Sequence, residues 1–172
     1  MAPGSTRILR QGMDVLYWAS VGLAAASLVV IAVIIPWGVF TRYVLDSAAS
    51  WPEPMAVLLS IVLTFFGGAA CFRTAAHMRM TVLPDRLPRL GRRACELAAE
   101  ALVAMLNLFM VSWGTDLVQT TWHQTIPDFP SLSVGVTYLP IPLGGLLTLL
   151  FTFERLVLGP PPMAMPEPVV FE

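Results

Sequence analysis

The chain has 172 residues, of which 56% are hydrophobic and 12% are charged, with a mean hydropathy of +0.74 and a formal net charge of −1. A soluble domain carries about 25% charged residues, so this composition cannot cover a water-exposed surface and indicates an integral membrane protein. The near-zero net charge also excludes the basic face that a nucleic-acid-binding protein needs.

Four apolar segments are long enough to cross a membrane. About 20 residues of helix are needed to cross about 30 Å of hydrocarbon. Inside lipid every backbone N–H and C=O must be satisfied within the segment, so each segment is predicted to be a helix. The predicted spans are Tyr17–Phe40, Met55–Phe72, Ala94–Leu117 and Val136–Leu158.

Prolines lie within two of these spans. Pro36 falls inside the first span, where it removes one backbone hydrogen bond and predicts a kink toward the outer end. Pro140 and Pro142 fall in the first turns of the fourth span. They are expected to distort its start.

The basic residues, all arginines, are distributed unevenly and predict the orientation. Two precede the first span, six lie in the connector between the second and third spans, and Arg155 lies at the end of the fourth. Arg42 is the one arginine on the other side. Because cytoplasmic loops collect Lys and Arg, both termini are predicted to lie inside.

The connector and the C-terminal tail are predicted to differ in structure. Leu83, Leu87 and Leu90 recur at helical spacing among arginines, which predicts a short amphipathic helix in the inner headgroup layer between spans two and three. Its arginines suit contact with anionic lipid. Residues 159–172 contain five prolines and are predicted to be a disordered cytoplasmic tail, so residues 1–158 form the four-helix membrane domain.

The centres of the four spans contain no Asp, Glu, His, Lys or Arg. Ionisable groups within a membrane usually mark ion or proton paths, so the chain is predicted to be a partner subunit, not a pump. His77 and His123 are predicted to lie at opposite membrane faces, where they cannot ligate one haem iron. No catalytic motif and no metal-ligand spacing occurs, so we expect no enzymatic activity and no cofactor.

The first outer loop contains the sharpest local pattern, Ser50-Trp51-Pro52-Glu53-Pro54. Ser50 and Glu53 have capping-box spacing, and Trp51 suits the aromatic belt at the interface. The same residues are equally consistent with contact to a partner protein. Arg42 ends the first span on this side, so an Arg42–Glu53 ion pair is also predicted.

Small residues and basic residues give further candidate contacts. Gly67 and Gly68, with the alanines that follow, and Gly144-Gly145 allow helices to approach closely. These glycines either contact a partner helix or pack the four spans against one another. His77 and Arg79, at the start of the inner connector, either face solvent and headgroups or contact a partner subunit.

The order of these short motifs along four spans resembles one family. It is similar to the small four-helix membrane subunit of tripartite ATP-independent periplasmic (TRAP) transporters, the DctQ-like proteins, over roughly residues 14 to 158. The motifs are Arg42-Tyr43, Trp51-x-Glu53, Phe65-x-Gly67, His77-Met78-Arg79, Trp113, Trp122-His123-Gln124-Thr125, Tyr138-Leu139-Pro140-Ile141-Pro142-Leu143-Gly144 and Glu154-Arg155.

The resemblance implies a role in secondary active uptake across the bacterial inner membrane. In that family a periplasmic binding protein captures a solute, usually one that bears a carboxylate. A large multispan subunit carries the substrate and sodium sites and moves the solute, and the small subunit resembles a fixed scaffold beside it. Pro54 and Thr81 stand where the family commonly has acids, so roles that rest on those carboxylates do not carry over.

A second class of function shares the same predicted topology. A stand-alone membrane anchor, or an assembly factor for another membrane complex, also needs four spans with uncharged centres. Co-purification with a transporter distinguishes a subunit from such an anchor.

Overall fold

A computed structural model describes residues 3–47, 49–74, 89–127 and 129–158. Long helices dominate it, and two very short strands and a one-turn helix lie between the third and last long helices. The elements are α1 (Pro3–Tyr43), α2 (Pro52–Arg73), α3 (Arg89–Thr121), β1 (Thr125–Ile126), β2 (Phe129–Ser133), α4 (Val134–Tyr138) and α5 (Pro140–Leu158).

The four predicted membrane spans are confirmed. In the described residues four helical segments are long and apolar enough to cross a bilayer, the last being α4 and α5 together. Helix α1 has 41 residues and is therefore about 60 Å long at about 1.5 Å per residue, twice the thickness of the hydrocarbon layer. It begins well before the predicted start at Tyr17, so it extends beyond the membrane at its N-terminal end.

The helices lie in a row with the order α1, α2, α5, α3. Helix α1 packs chiefly against α2, and both α2 and α3 pack against α5. The two central helices are therefore α2 and α5, and the two flanking helices are α1 and α3. We call the end of the row that carries Arg73 and Arg155 the inner end, and the end that carries Arg42 the outer end.

The packed face of α1 consists largely of small residues. Ser20, Ala24 and Ser27 are buried at helical spacing, whereas Trp18 and Trp37 are exposed. The two serine hydroxyls donate to the carbonyls of Leu16 and Leu23, each at 2.8 Å, so their polar groups are satisfied within the helix. Small side chains let the backbones of α1 and α2 approach closely, as is typical of helix packing in lipid.

Helix α1 runs through Pro36 without ending. It ends after Tyr43, where Asp46 adopts a left-handed backbone conformation with φ of 49°. The N–H of Ser47 donates to the carbonyl of Thr41 at 3.1 Å and helps to close the turn. Asp is among the few non-glycine residues that tolerate this conformation.

The fourth span is interrupted at Leu139, as the prolines predicted. Pro140 has no N–H with which to donate to the carbonyl of Val136, and that carbonyl accepts the N–H of Leu139 at 3.3 Å instead. Helix α4 therefore ends and α5 begins at Pro140, where the missing donor costs nothing. The start of α4 is capped by Ser133, whose hydroxyl accepts the N–H of Gly135.

Two predicted segments fall outside the described residues. The first is 75–88, which includes His77, Arg79 and most of the predicted amphipathic helix, and the second is the tail at 159–172. The described part of the chain also contains an antiparallel pairing of β1 with β2, in the outer connection between α3 and α4, that was not predicted.

Candidate functional site

The inner end of the helix row contains a buried ionic cluster centred on Arg73, the last residue of α2. Its guanidinium forms two hydrogen bonds with the carboxylate of Glu154 in α5, from Nε to Oε2 and from Nη2 to Oε1, both at 2.9 Å. Nη2 also donates to Oδ1 of Asp14 in α1 at 2.7 Å. One side chain therefore joins three helices.

The cluster is shielded from water on most sides. The side chains of Arg73 and Glu154 are 2% and 3% exposed, whereas that of Asp14 is 56% exposed. The guanidinium carbon lies 5.5 Å from the ring centroid of Tyr17 and 5.4 Å from that of Phe151. Nη1 has no hydrogen-bond acceptor among the described residues, so the ring faces are the favourable electrostatic contacts for that part of the group.

A second ion pair attaches the remaining long helix. Arg155, the residue after Glu154, places Nε 3.5 Å from Oε1 of Glu100 in α3. Both side chains are about one-fifth exposed. Adjacent residues of α5 therefore make ion pairs with α2 and α3, and all four long helices are connected at the inner end.

Among the described residues, the outer end contains one ion pair, and this pair is exposed. Nη2 of Arg42 lies 2.8 Å from Oε1 of Glu53, and the two side chains are 52% and 77% exposed. The predicted pairing is confirmed, and it joins the end of α1 to the start of α2.

The capping box predicted from Ser50 and Glu53 is wrong. The N-cap residue of α2 is Trp51, its backbone is in the right-handed helical region, and no side chain caps the helix. Pro52 begins the helix, so one of the N–H groups that a cap would satisfy does not exist. The carboxylate of Glu53 is engaged by Arg42 instead.

The predicted glycine pairs differ in what they contact. A Cβ at Gly144 would lie 2.7 Å from Cβ of Phe65, and one at Gly145 would lie 3.2 Å from Cγ2 of Val111. These two glycines therefore pack α5 against α2 and α3, inside the subunit. A Cβ at Gly67 would make an ordinary contact at 3.7 Å with Ala24, and one at Gly68 would meet no described atom within 4 Å.

The cluster around Arg73 is the main feature that the sequence did not predict. In the sequence Arg73 is grouped with five other arginines of the inner connector, and Glu154 is 81 residues away in the chain. Glu154 is the residue in the sequence that could have indicated the cluster, because a carboxylate one turn before the end of an apolar helix needs a cation nearby. Asp14 lies in the part of α1 that precedes the predicted span.

The motifs and the four-span fold agree with a comparison against known families. The model of the DctQ component of tripartite ATP-independent periplasmic transporters matches residues 31–159, which is most of the chain. The chain belongs to the DctQ family. It is therefore a multi-pass protein of the bacterial inner membrane and a subunit of a TRAP transporter.

Relatives of this DctQ protein include named small permease subunits. The sialic acid TRAP transporter small permease protein of Vibrio cholerae is 28% identical over 151 residues, which cover 81% of this chain and 82% of the relative. The C4-dicarboxylate small permease protein of Rhodobacter capsulatus is 29% identical over 63% of this chain and 48% of the relative. The ectoine small permease protein of Halomonas elongata is 25% identical over 64% and 58%.

The charged side chains of the two ends make contacts between helices. Among the described residues no three His, Cys, Asp or Glu side chains converge as metal ligands would. At the inner end, Asp14 and Glu154 are both engaged by Arg73. Both carboxylates therefore take part in contacts that join α1 and α5 to α2.

Proposed function

We propose that this DctQ protein is a non-catalytic scaffold subunit. It braces a large multispan TRAP subunit that moves a carboxylate-bearing solute into the cell, driven by a sodium gradient, after a periplasmic binding protein delivers the solute. The small subunit does not itself form the pathway. The observation that carries this proposal is the buried cluster of Arg73, Glu154 and Asp14.

The cluster supports the scaffold role because it resists relative motion of the helices. Sliding α5 along α2 would separate a nearly fully buried guanidinium from its carboxylate, and an unpaired buried charge costs several kcal/mol. The centres of the spans contain no ionisable side chain that would serve an ion path. A rigid unit without such a path is suited to hold a neighbour in place.

The exposed face of α2 is the best candidate surface for the large subunit. Ser60, Thr64 and Gly68 are exposed at spacings of four residues, and the two hydroxyls donate to backbone carbonyls of the same helix. The side chains on this face are therefore small, and their hydroxyl groups are already hydrogen-bonded within α2. Both properties favour close approach of another helix. The exposed faces of α1 and α3 instead carry bulky side chains such as Trp37 and Phe109, which suit lipid.

The other predicted contacts lie beyond this surface, at the two ends of α2. Arg42, Trp51 and Glu53 lie at the outer end and are proposed to contact lipid, not the large subunit. His77 and Arg79 follow α2 at the inner end and are proposed to contact the large subunit or lipid headgroups. Retention of both co-purification and uptake after His77→Ala would exclude a role for that residue in assembly.

The solute class is proposed from the relatives. The names of two of them specify sialic acid and C4-dicarboxylates, both of which bear carboxylates.

Uptake should be measured in proteoliposomes that contain the large subunit and receive the solute-loaded binding protein, with and without this chain. A sodium gradient should drive accumulation only when both membrane subunits are present. Accumulation by this chain alone, or undiminished uptake without it, would contradict the proposal.

A matched pair of glycine variants tests the proposed surface on α2. A Cβ at Gly68 and one at Gly22 in α1 both meet no described atom within 4 Å, so Gly68→Leu and Gly22→Leu should both fold. Gly68→Leu should abolish co-purification with the large subunit, whereas Gly22→Leu should preserve it. Equal co-purification of both variants would place the interface elsewhere. Failure of the native chain to co-purify with any transporter subunit from solubilised native membranes would favour an anchor.

A further inference from the structure

An open groove lies between α1 and α2 near the outer end. Its volume is about 320 Å³, and most of its lining side chains are apolar. Gly38 and Ala56 contribute little side-chain volume to the lining, and Ile35, Val39 and Val57 form its walls. The lining of α1 spans residues 35 to 43, so the groove extends about 12 Å along the helix, within one leaflet of about 15 Å.

The polar rim of the groove is the Arg42–Glu53 ion pair, with Tyr43 beside it. The contact at 2.8 Å uses one guanidinium nitrogen and one carboxylate oxygen. Both side chains are more than half exposed, and neither has another polar partner among the described residues. The remaining guanidinium N–H groups can donate to an anion, and the second carboxylate oxygen can accept from a cation.

We propose that this groove binds a zwitterionic phospholipid with a primary ammonium headgroup, such as phosphatidylethanolamine. The phosphate accepts hydrogen bonds from Arg42, the ammonium donates to Glu53, and one acyl chain lies in the apolar groove. The rim carries one positive and one negative charge in contact, and this headgroup presents the complementary pair, a phosphate and an ammonium group. A purely anionic headgroup would gain from Arg42 but would be repelled by Glu53.

The matching of charges makes the headgroup testable. Native mass spectrometry of the full-length chain in detergent should show more bound phosphatidylethanolamine than phosphatidylcholine, whose quaternary ammonium has no N–H donor, and more than phosphatidylglycerol. Glu53→Gln should reduce the preference over phosphatidylcholine about fivefold, the scale of one exposed ion pair. Arg42→Gln should weaken binding of all three phospholipids. Equal binding of the three lipids by the native chain would overturn the proposal.

The acyl-chain site is tested by filling the groove. Val57 lines it and is 58% exposed, whereas Val33 in α1 is 64% exposed and lies outside it, so Val57→Phe and Val33→Phe are a matched pair. Val57→Phe should reduce phosphatidylethanolamine binding at least fivefold and Val33→Phe should not. If Val57→Phe leaves lipid binding unchanged but prevents co-purification with the large subunit, the groove is occupied by a protein helix and the proposal is wrong. Because the lipid measurement needs this chain alone, its outcome is independent of the scaffold role.

Discussion

The inner and outer ends of the helix row both join helices through arginine and acidic side chains, but the two sites differ in burial and in the number of helices they connect. At the inner end Arg73 and Glu154 are almost fully buried and join α1, α2 and α5. At the outer end Arg42 and Glu53 are more than half exposed and join α1 to α2. Loss of an arginine–carboxylate pair is therefore expected to cost more stability at the inner end than at the outer end.

The difference in burial explains why the two pairs should differ in their contribution to stability. An exposed ion pair contributes about 0.2–1 kcal/mol, because water solvates each charge almost as well as its partner does. Removing one partner of a buried pair costs about 3–5 kcal/mol, because the remaining charge is left without compensation. We therefore expect the helices to resist separation more strongly at the inner end than at the outer end, where the charged side chains are exposed to lipid or protein.

The largest effect is expected for Glu154→Gln. This change leaves the buried Arg73 guanidinium with the partly exposed Asp14 as its remaining carboxylate among the described residues. It should lower the free energy of unfolding by about 3 kcal/mol, the lower end of the cost of an uncompensated buried charge. SDS-induced unfolding in mixed micelles measures this. The double variant Arg73→Gln/Glu154→Gln removes both charges and should recover part of the loss; an equally unstable double variant would contradict the burial argument.

Gly144→Ala should have the next largest effect, and it tests the close contact between α5 and α2. Its added Cβ would lie 2.7 Å from Cβ of Phe65 and 3.1 Å from its carbonyl oxygen, so α5 would have to move away from α2. Overpacking of this kind costs about 1–3 kcal/mol. Gly68→Ala is the control, with no destabilisation expected. Unchanged stability of Gly144→Ala would show that the contact between α2 and α5 tolerates separation.

Asp14→Asn should have a smaller effect and separates the two carboxylates of the inner cluster. Its side chain is 56% exposed, and Arg73 keeps both hydrogen bonds to Glu154. The expected loss is about 1 kcal/mol, the scale of one net hydrogen bond. The same SDS titration measures it. A loss as large as that of Glu154→Gln would mean that the two carboxylates are equivalent despite their different exposure.

Arg42→Gln should have the smallest effect on stability, below about 1 kcal/mol. The difference from the native chain should shrink further at high salt, because exposed charges are screened. Unfolding titrations at low and high ionic strength measure both quantities. A loss comparable to that of the inner cluster would remove the distinction between the two ends.

Local pattern predicted much of the fold. The four spans follow from runs of apolar residues, and the interruption at Leu139 follows from the missing N–H of Pro140. The Arg42–Glu53 pair was predictable because its residues flank one short loop. The capping box was not correct, because the helix begins one residue later than Ser50 requires and Arg42 takes the carboxylate.

Contacts between residues that are distant in the chain could not be predicted in the same way. Spacing rules place residues on one helix face but do not state which helices become neighbours. The row order α1, α2, α5, α3 brings Arg73 to Glu154, and that order depends on close contacts such as Gly144 against Phe65. The position of Arg73 among the connector arginines contributes to the predicted orientation, with both termini inside. It does not indicate the ion pair between Arg73 and Glu154.

Distances between spin labels at the inner ends of α1 and α3 test the fixed brace most directly. Labels at Gly12→Cys and Leu97→Cys, with Cys71 and Cys95 replaced by serine, report this distance in the assembled transporter. A fixed brace predicts the same distance distribution with and without sodium and solute-loaded binding protein, while a label pair that joins this chain to the moving part of the large subunit changes. A shift of several ångströms between the two labels within this chain would contradict it.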